Sequence, residues 1–166
     1  MIEDLTSILN IITEEEELKL LDRIEKDVNL KKDAKRSRLY VRYGKSVYDT
    51  NVMSKIIPDY LIQLSEVLVN KKIINKLPAS ITINIYEEGD FISPHIDDIK
   101  AGPVITILSI GSEAELILTD GSAKKNILLP RRSVFQLKGV YRTKWEHSIL
   151  PVKTKRISIV FREYGN

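Results

Sequence analysis

The sequence predicts a mainly β protein with flanking helices (α+β): a double-stranded β-helix, or jelly roll, core backed by N-terminal helices. Apolar residues recur at helical spacing before about residue 80 and at period two after it. Glu88-Gly89-Asp90, Gly111-Ser112, Asp120-Gly121 and Gly139 then punctuate the second half with turns, the mark of short strands.

In chain order, Thr13-x-x-Glu16 forms a capping box, and Glu14 to Glu17 complement the positive end of the helix that follows. Leu18, Leu21, Ile24 and Val28 give that helix, over residues 14–28, an apolar stripe. A second helix starts at Pro58, an allowed first-turn position, and offers Leu61, Leu64, Val67 and Leu68 to the core. Strands take over from residue 80. At 166 residues the chain reads as one domain, with 1–79 holding N-terminal helices and a substrate-recognition segment and 80–166 forming the jelly-roll catalytic core.

Composition removes several chemistries. With no cysteine, the chain has no disulfide, thiolate zinc site, iron–sulfur cluster or cysteine nucleophile. No apolar run approaches a membrane span, so no membrane partner is expected. Met1-Ile2-Glu3-Asp4 is acidic where a signal peptide is basic, which predicts a cytoplasmic protein, with the nucleus as the alternative. Residues 1–28 hold nine acids and three bases, and the remainder 14 acids and 23 bases. A basic body behind an acidic helix suits a polyanionic partner, and equally a soluble protein rich in lysine.

Alternation along the strands selects the chemical residues, because i and i+2 share a face. In Ile81-Thr82-Ile83-Asn84-Ile85-Tyr86 the isoleucines take one face and Thr82, Asn84 and Tyr86 the other. Ser93, His95 and Asp97 point one way, the geometry a two-residue chelate requires. In Arg156-Ile157-Ser158-Ile159-Val160-Phe161-Arg162 an apolar stripe opposes Arg156, Ser158, Val160 and Arg162. Taken alone, each is an ordinary half-buried strand with a wet face. Together with His147, the second of only two histidines, they describe one site. Two imidazoles and a carboxylate leave open positions on an iron ion, as in non-haem Fe(II) oxygenases. Guanidinium groups inside a small barrel call for an anion, and a dicarboxylate that also chelates iron answers both needs.

These residues resemble the AlkB family of Fe(II)- and 2-oxoglutarate-dependent dioxygenases. The matching elements are Asn84-Ile85-Tyr86-x-x-Gly89, His95-Ile96-Asp97, His147 and Arg156-x-Ser158-x-x-x-Arg162. Ser109-Ile110-Gly111-Ser112-Glu113, Leu129-Pro130-Arg131-Arg132-Ser133 and Tyr141-Arg142-x-x-Trp145-x-His147 look most like eukaryotic homologues, above all the oxygenase domain that hydroxylates a modified wobble uridine in tRNA. The resemblance implies Fe(II), 2-oxoglutarate and O2 as cofactors. His95, Asp97 and His147 would be the catalytic metal ligands. Arg156 and Tyr86 would hold the distal carboxylate of 2-oxoglutarate, with Asn84, Ser158 and Arg162 along the cosubstrate. It also implies oxidation of a C–H bond of a modified or alkylated nucleic-acid base, by demethylation or hydroxylation, with tRNA favoured over DNA. The alternatives are the same chemistry on a protein side chain, or a catalytically silent metal-binding jelly-roll module.

Residues 31–45 hold seven bases against the single acid Asp33, with Tyr40 and Tyr43 interleaved and Tyr48 just beyond. Bases for phosphates and rings for nucleobases suit single-stranded or flipped nucleotides, and a solvated loop with inward tyrosines fits equally. Substrate contacts are therefore expected from Arg36, Arg38, Tyr40 and Arg42, from Asp98 after the H-x-D triplet, and from Arg131. A monomer is expected, with a separate RNA-binding or methyltransferase protein as a partner.

Overall fold

Two antiparallel sheets face each other in the computed structural model, which describes residues 5–27, 31–33, 38–49 and 53–164. In chain order the elements are β1 (Leu5–Ile8), α1 (Glu14–Glu25), β2 (Lys31–Asp33), β3 (Arg38–Lys45), β4 (Met53–Lys55), α2 (Asp59–Asn70), β5 (Ser80–Tyr86) and β6 (Ile92–His95). A 3₁₀ turn (Ile99–Ala101) precedes β7 (Ile105–Ile110), β8 (Ala114–Thr119), β9 (Lys124–Leu129) and β10 (Ser133–Leu137). The chain closes with α3 (Gly139–Thr143), β11 (Glu146–Ile149) and β12 (Arg156–Arg162). The major sheet runs β1-β10-β7-β12-β5-β3-β2, with β4 beside β3; the minor sheet runs β6-β11-β8-β9. This is the jelly roll expected.

The major sheet separates two cores. On its outer face Ile81, Ile83, Ile159 and Phe161 pack with Leu20 and Ile24 of α1 and Leu61, Leu64 and Leu68 of α2. Between the sheets lie Ile105, Leu116, Leu118, Phe135 and Val160. The polar stripe of β5 and β12 therefore faces the minor sheet, as the alternation required.

Three expectations for the N-terminal half need correction. Residues 1–79 hold the two helices expected, but the basic segment between them is not only a recognition segment: β3 is an interior strand of the major sheet, paired with β5 from Leu39↔Ile85 to Gly44↔Ser80. Leu39, Val41 and Tyr43 join the helix-side core, so Tyr43 is a packing residue and not a base-stacking one. Of the stripe expected of it, α1 keeps the buried Ile24 and the partly buried Leu21 but not Leu18. Leu18 is 59% exposed, while Glu17, Leu20 and Ile24 are buried. The cause is Glu17, whose carboxylate accepts from Gly111 N at 2.8 Å and from Arg131 Nη2 at 2.7 Å, rolling the helix toward β7. In α2, Val67 stays exposed and Ser65 takes the buried place. Val28 and Arg36 lie outside the described residues.

Candidate active site

β6 and β11 are neighbours in the minor sheet, and their register sets His147 directly opposite His95, with ring centroids 4.2 Å apart. Asp97 follows two residues after β6 ends. Its Oδ1 lies 3.2 Å from His95 Nε2 and 3.8 Å from His147 Nε2. One ligand atom from each residue falls within 4.8 Å of the others, close enough for one ion to bridge all three at bonds of about 2.0–2.2 Å.

The protonation states favour ligation. His95 Nδ1 is 2.8 Å from the Ser93 carbonyl, so an Nδ1–H donates there and Nε2 is the nitrogen turned toward Asp97, the one that would meet a metal. Burial, reinforced by the neighbouring His95, pushes the His147 imidazole down to about 4, so it is neutral at pH 7. Burial works to raise the Asp97 carboxyl, but the His95 hydrogen bond and the Arg162 guanidinium outweigh it and hold the group well below the usual carboxylate range.

Beside this triad is a cavity of about 240 Å³ between the sheets, walled by β3, β5 and β12 on one side and by β8 and β11 on the other. Arg156, 1% exposed, stands in its wall with its guanidinium carbon 5.1 Å from the centre of the Tyr86 ring. Nη2 donates to Ser109 Oγ at 2.8 Å, while Nε and Nη1 find no hydrogen-bond partner among the described residues. Burial pulls its pKa down, the expected response of a cation whose counter-charge is missing. A hydrogen-bonded ladder then crosses the sheet: Arg38 Nε donates to Asn84 Oδ1 at 2.8 Å, and Asn84 Nδ2 to Ser158 Oγ at 3.1 Å. At the other end Arg162 Nη1 donates to Thr82 Oγ1 at 2.9 Å and Nη2 to Asp97 Oδ2 at 3.2 Å. The donor set thus offers a dianion one guanidinium with two open N–H positions, and a second guanidinium next to the metal ligands.

A neighbouring hollow of about 390 Å³ shares Arg42, His95, Asp97 and Arg162 with the cavity and is bordered by the exposed Tyr48. Of the expected substrate contacts, Tyr40 and Arg42 line the cavity. Asp98 borders the hollow, but its carboxylate also caps the 3₁₀ turn through Lys100 N at 2.8 Å. Arg38 is a buried wall residue bonded to Asn84, so it does not stand at the mouth. Arg131 lines neither the cavity nor the hollow; its side chain, 44% exposed, pairs with the buried Glu17. Sequence reasoning missed Ser109 and Thr82 as holders of the two arginines. Both share a face with named site residues, Ser158 across the register and Asn84 along the strand, and that signal was available.

The family model for the 2OG-Fe(II) oxygenase superfamily matches residues 6–162. An Acanthamoeba polyphaga mimivirus protein, L905, is 32% identical over 91% of this chain and 80% of its own. The Xenopus tropicalis tRNA (carboxymethyluridine(34)-5-O)-methyltransferase alkbh8 is 29% identical over 90% of this chain, which spans only 26% of that protein. Among solved structures, OsALKBH1 superposes with a TM-score of 0.71 at 16% identity, covering 98% of this chain and 99% of that one.

Proposed function

The chain belongs to the 2OG-Fe(II) oxygenase superfamily as an AlkB-like, 2-oxoglutarate-dependent non-haem iron dioxygenase using Fe(II), 2-oxoglutarate and O2, and we propose that it oxidises a C–H bond of a modified or alkylated nucleic-acid base, in tRNA before DNA. Residues 1–166 act in this reading as one catalytic domain.

When bound, iron and 2-oxoglutarate supply O2 activation coupled to oxidative decarboxylation of the cosubstrate to succinate, with one oxygen atom going to the substrate carbon. Everything else falls to the chain. His147 presents a neutral imidazole nitrogen, His95 its Nε2 and Asp97 an ionised oxygen, the three ligands that would hold the metal. Arg156 receives the distal carboxylate, with Tyr86 beside it, and Asn84 and Ser158 line the path toward Arg162. The observation that carries this assignment is Arg156, buried with two N–H groups unanswered where a small dicarboxylate fits.

Nucleic acid is supported by the tRNA-modifying relative and by Tyr40, Arg42 and Tyr48 around the opening, a ring-and-cation set suited to a splayed-out nucleotide. The test is incubation with iron and labelled 2-oxoglutarate in the presence of a tRNA pool, alkylated single-stranded DNA or a protein extract. Succinate release and nucleoside mass spectra are read together. Succinate stimulated by tRNA with a changed nucleoside is expected; stimulation by protein alone overturns the substrate class.

A further inference from the structure

We infer that Arg142 is a positioning residue that shapes the metal centre before the metal arrives, by tying the loop of Asp97 to the segment that delivers His147. This rests on reading His95, Asp97 and His147 as the metal ligands. Arg142 lies on α3, five residues before His147, and is 2% exposed. Its guanidinium donates to three carbonyls of one loop. Nη1 reaches Asp97 O at 2.9 Å, Nη2 reaches Asp98 O at 2.6 Å and Nε reaches Gly102 O at 3.2 Å. A planar fork with fixed donor directions fits three carbonyls in only one loop shape.

That loop has its own 3₁₀ turn, with Ala101 N donating to Asp98 O at 2.9 Å, but little apolar packing to seat it. Ile96 and Ile99 are 42% and 67% exposed, and only Ala101 is buried. The loop is closed by Gly102 at φ +95°, where a Cβ would meet Glu163 O at 2.5 Å. Arg142 itself is well anchored: Trp145 is part of the inter-sheet core, and the Tyr141 ring packs 4.9 Å from it. Burial pulls the Arg142 pKa down despite the nearby Asp97 and Asp98 carboxylates, and the groups its N–H donors reach are neutral carbonyls. A buried cation in such company is less stable than an apolar side chain would be. Its charge cannot serve a metal either, because like charges repel. Its particular contribution is its shape, a brace between the Asp97 loop and the segment that carries His147.

Metal-free wild-type, Arg142→Lys, Arg142→Gln and His147→Ala proteins are titrated with Co(II), reading Kd and the visible d–d spectrum alongside far-UV circular dichroism. Both Arg142 variants are expected to stay folded, to bind Co(II) at least about tenfold more weakly than wild type and to show an altered spectrum. The lysine, which keeps the charge, gives no rescue. Unchanged Kd and spectrum in the lysine variant overturn the inference. Wild-type protein that binds Co(II) no better than His147→Ala overturns the metal-site reading instead, so the two failures are distinct. Hydrogen exchange in metal-free wild type needs no variant: the amides of Lys100, Ala101 and Gly102 are expected to be protected, and exchange at the rate of an unstructured chain also overturns the inference.

Discussion

The two carboxylate oxygens of Asp97 answer to different partners: Oδ2 is held by Arg162 Nη2 at 3.2 Å, which leaves Oδ1 turned toward both imidazoles. The guanidinium fixes the carboxylate's rotation and so selects a single oxygen for the metal. Arg162→Lys keeps the charge and loses the planar fork, and Mn(II) affinity should fall by about tenfold in an electron paramagnetic resonance titration. Equal affinity in the two proteins would mean that another group orients Asp97.

Asp97→Ala and His147→Ala each remove a ligand rather than a supporting bond. Succinate production should drop to the level of a protein-free control in both. Residual turnover in either would remove that residue from the metal set.

Arg156 should reveal itself through opposite effects on stability and binding. Arg156→Met replaces a buried, half-satisfied guanidinium by an apolar chain of similar length, and should stabilise the ligand-free protein by about 1–4 kcal/mol. The same change should abolish the rise in Tm that 2-oxoglutarate gives the wild type. A variant that still gains Tm with 2-oxoglutarate would mean that the distal carboxylate is bound elsewhere.

The Glu17–Arg131 pair should matter for folding and not for substrate. Removing the buried partner by Glu17→Leu strands Gly111 N, while the exposed Arg131 turns to water, and should cost about 1–3 kcal/mol in urea unfolding. Arg131→Ala should lower stability and leave tRNA affinity unchanged in a filter-binding assay. Weaker tRNA binding by that variant would return Arg131 to the substrate surface.

Acid should weaken the metal-free fold in a defined window. The His147 pKa is pushed down to about 4 in the folded protein, against about 6.5 unfolded. Between those values the unfolded chain binds more protons, so stability is full above about 6.5 and declines as pH falls toward 4, by up to about 3 kcal/mol. Asp97, also depressed, adds a further loss below its unfolded value near 3.8. Urea midpoints at pH 7, 5.5 and 4.5 measure this, and His147→Asn should flatten the slope above pH 4.5.

Strands with one apolar face were legible because alternation needs no partner to be seen: Ile81 to Tyr86 and Arg156 to Arg162 read directly as wall and core. β3 obeys the same rule, with Leu39, Val41 and Tyr43 inward. Its other face, Arg38, Tyr40 and Arg42, lines a polar cavity, and a strand charged on that side imitates a basic loop. The roll of α1 and the loss of Arg131 had one cause, a contact spanning 114 positions from Glu17, which no local pattern encodes. Arg142 was visible as part of a motif, but its role depends on three main-chain oxygens that carry no residue signature.

β6 is the terminal strand of the minor sheet, four residues long, and it carries His95 at its end. Held by His95 and His147, iron would add a second tie between this short strand and β11, beside the register that already pairs them. Without the metal that strand would rest on its pairing with β11 alone, and its Ile92–His95 amides should exchange sooner than those of interior strands such as β5 and β12.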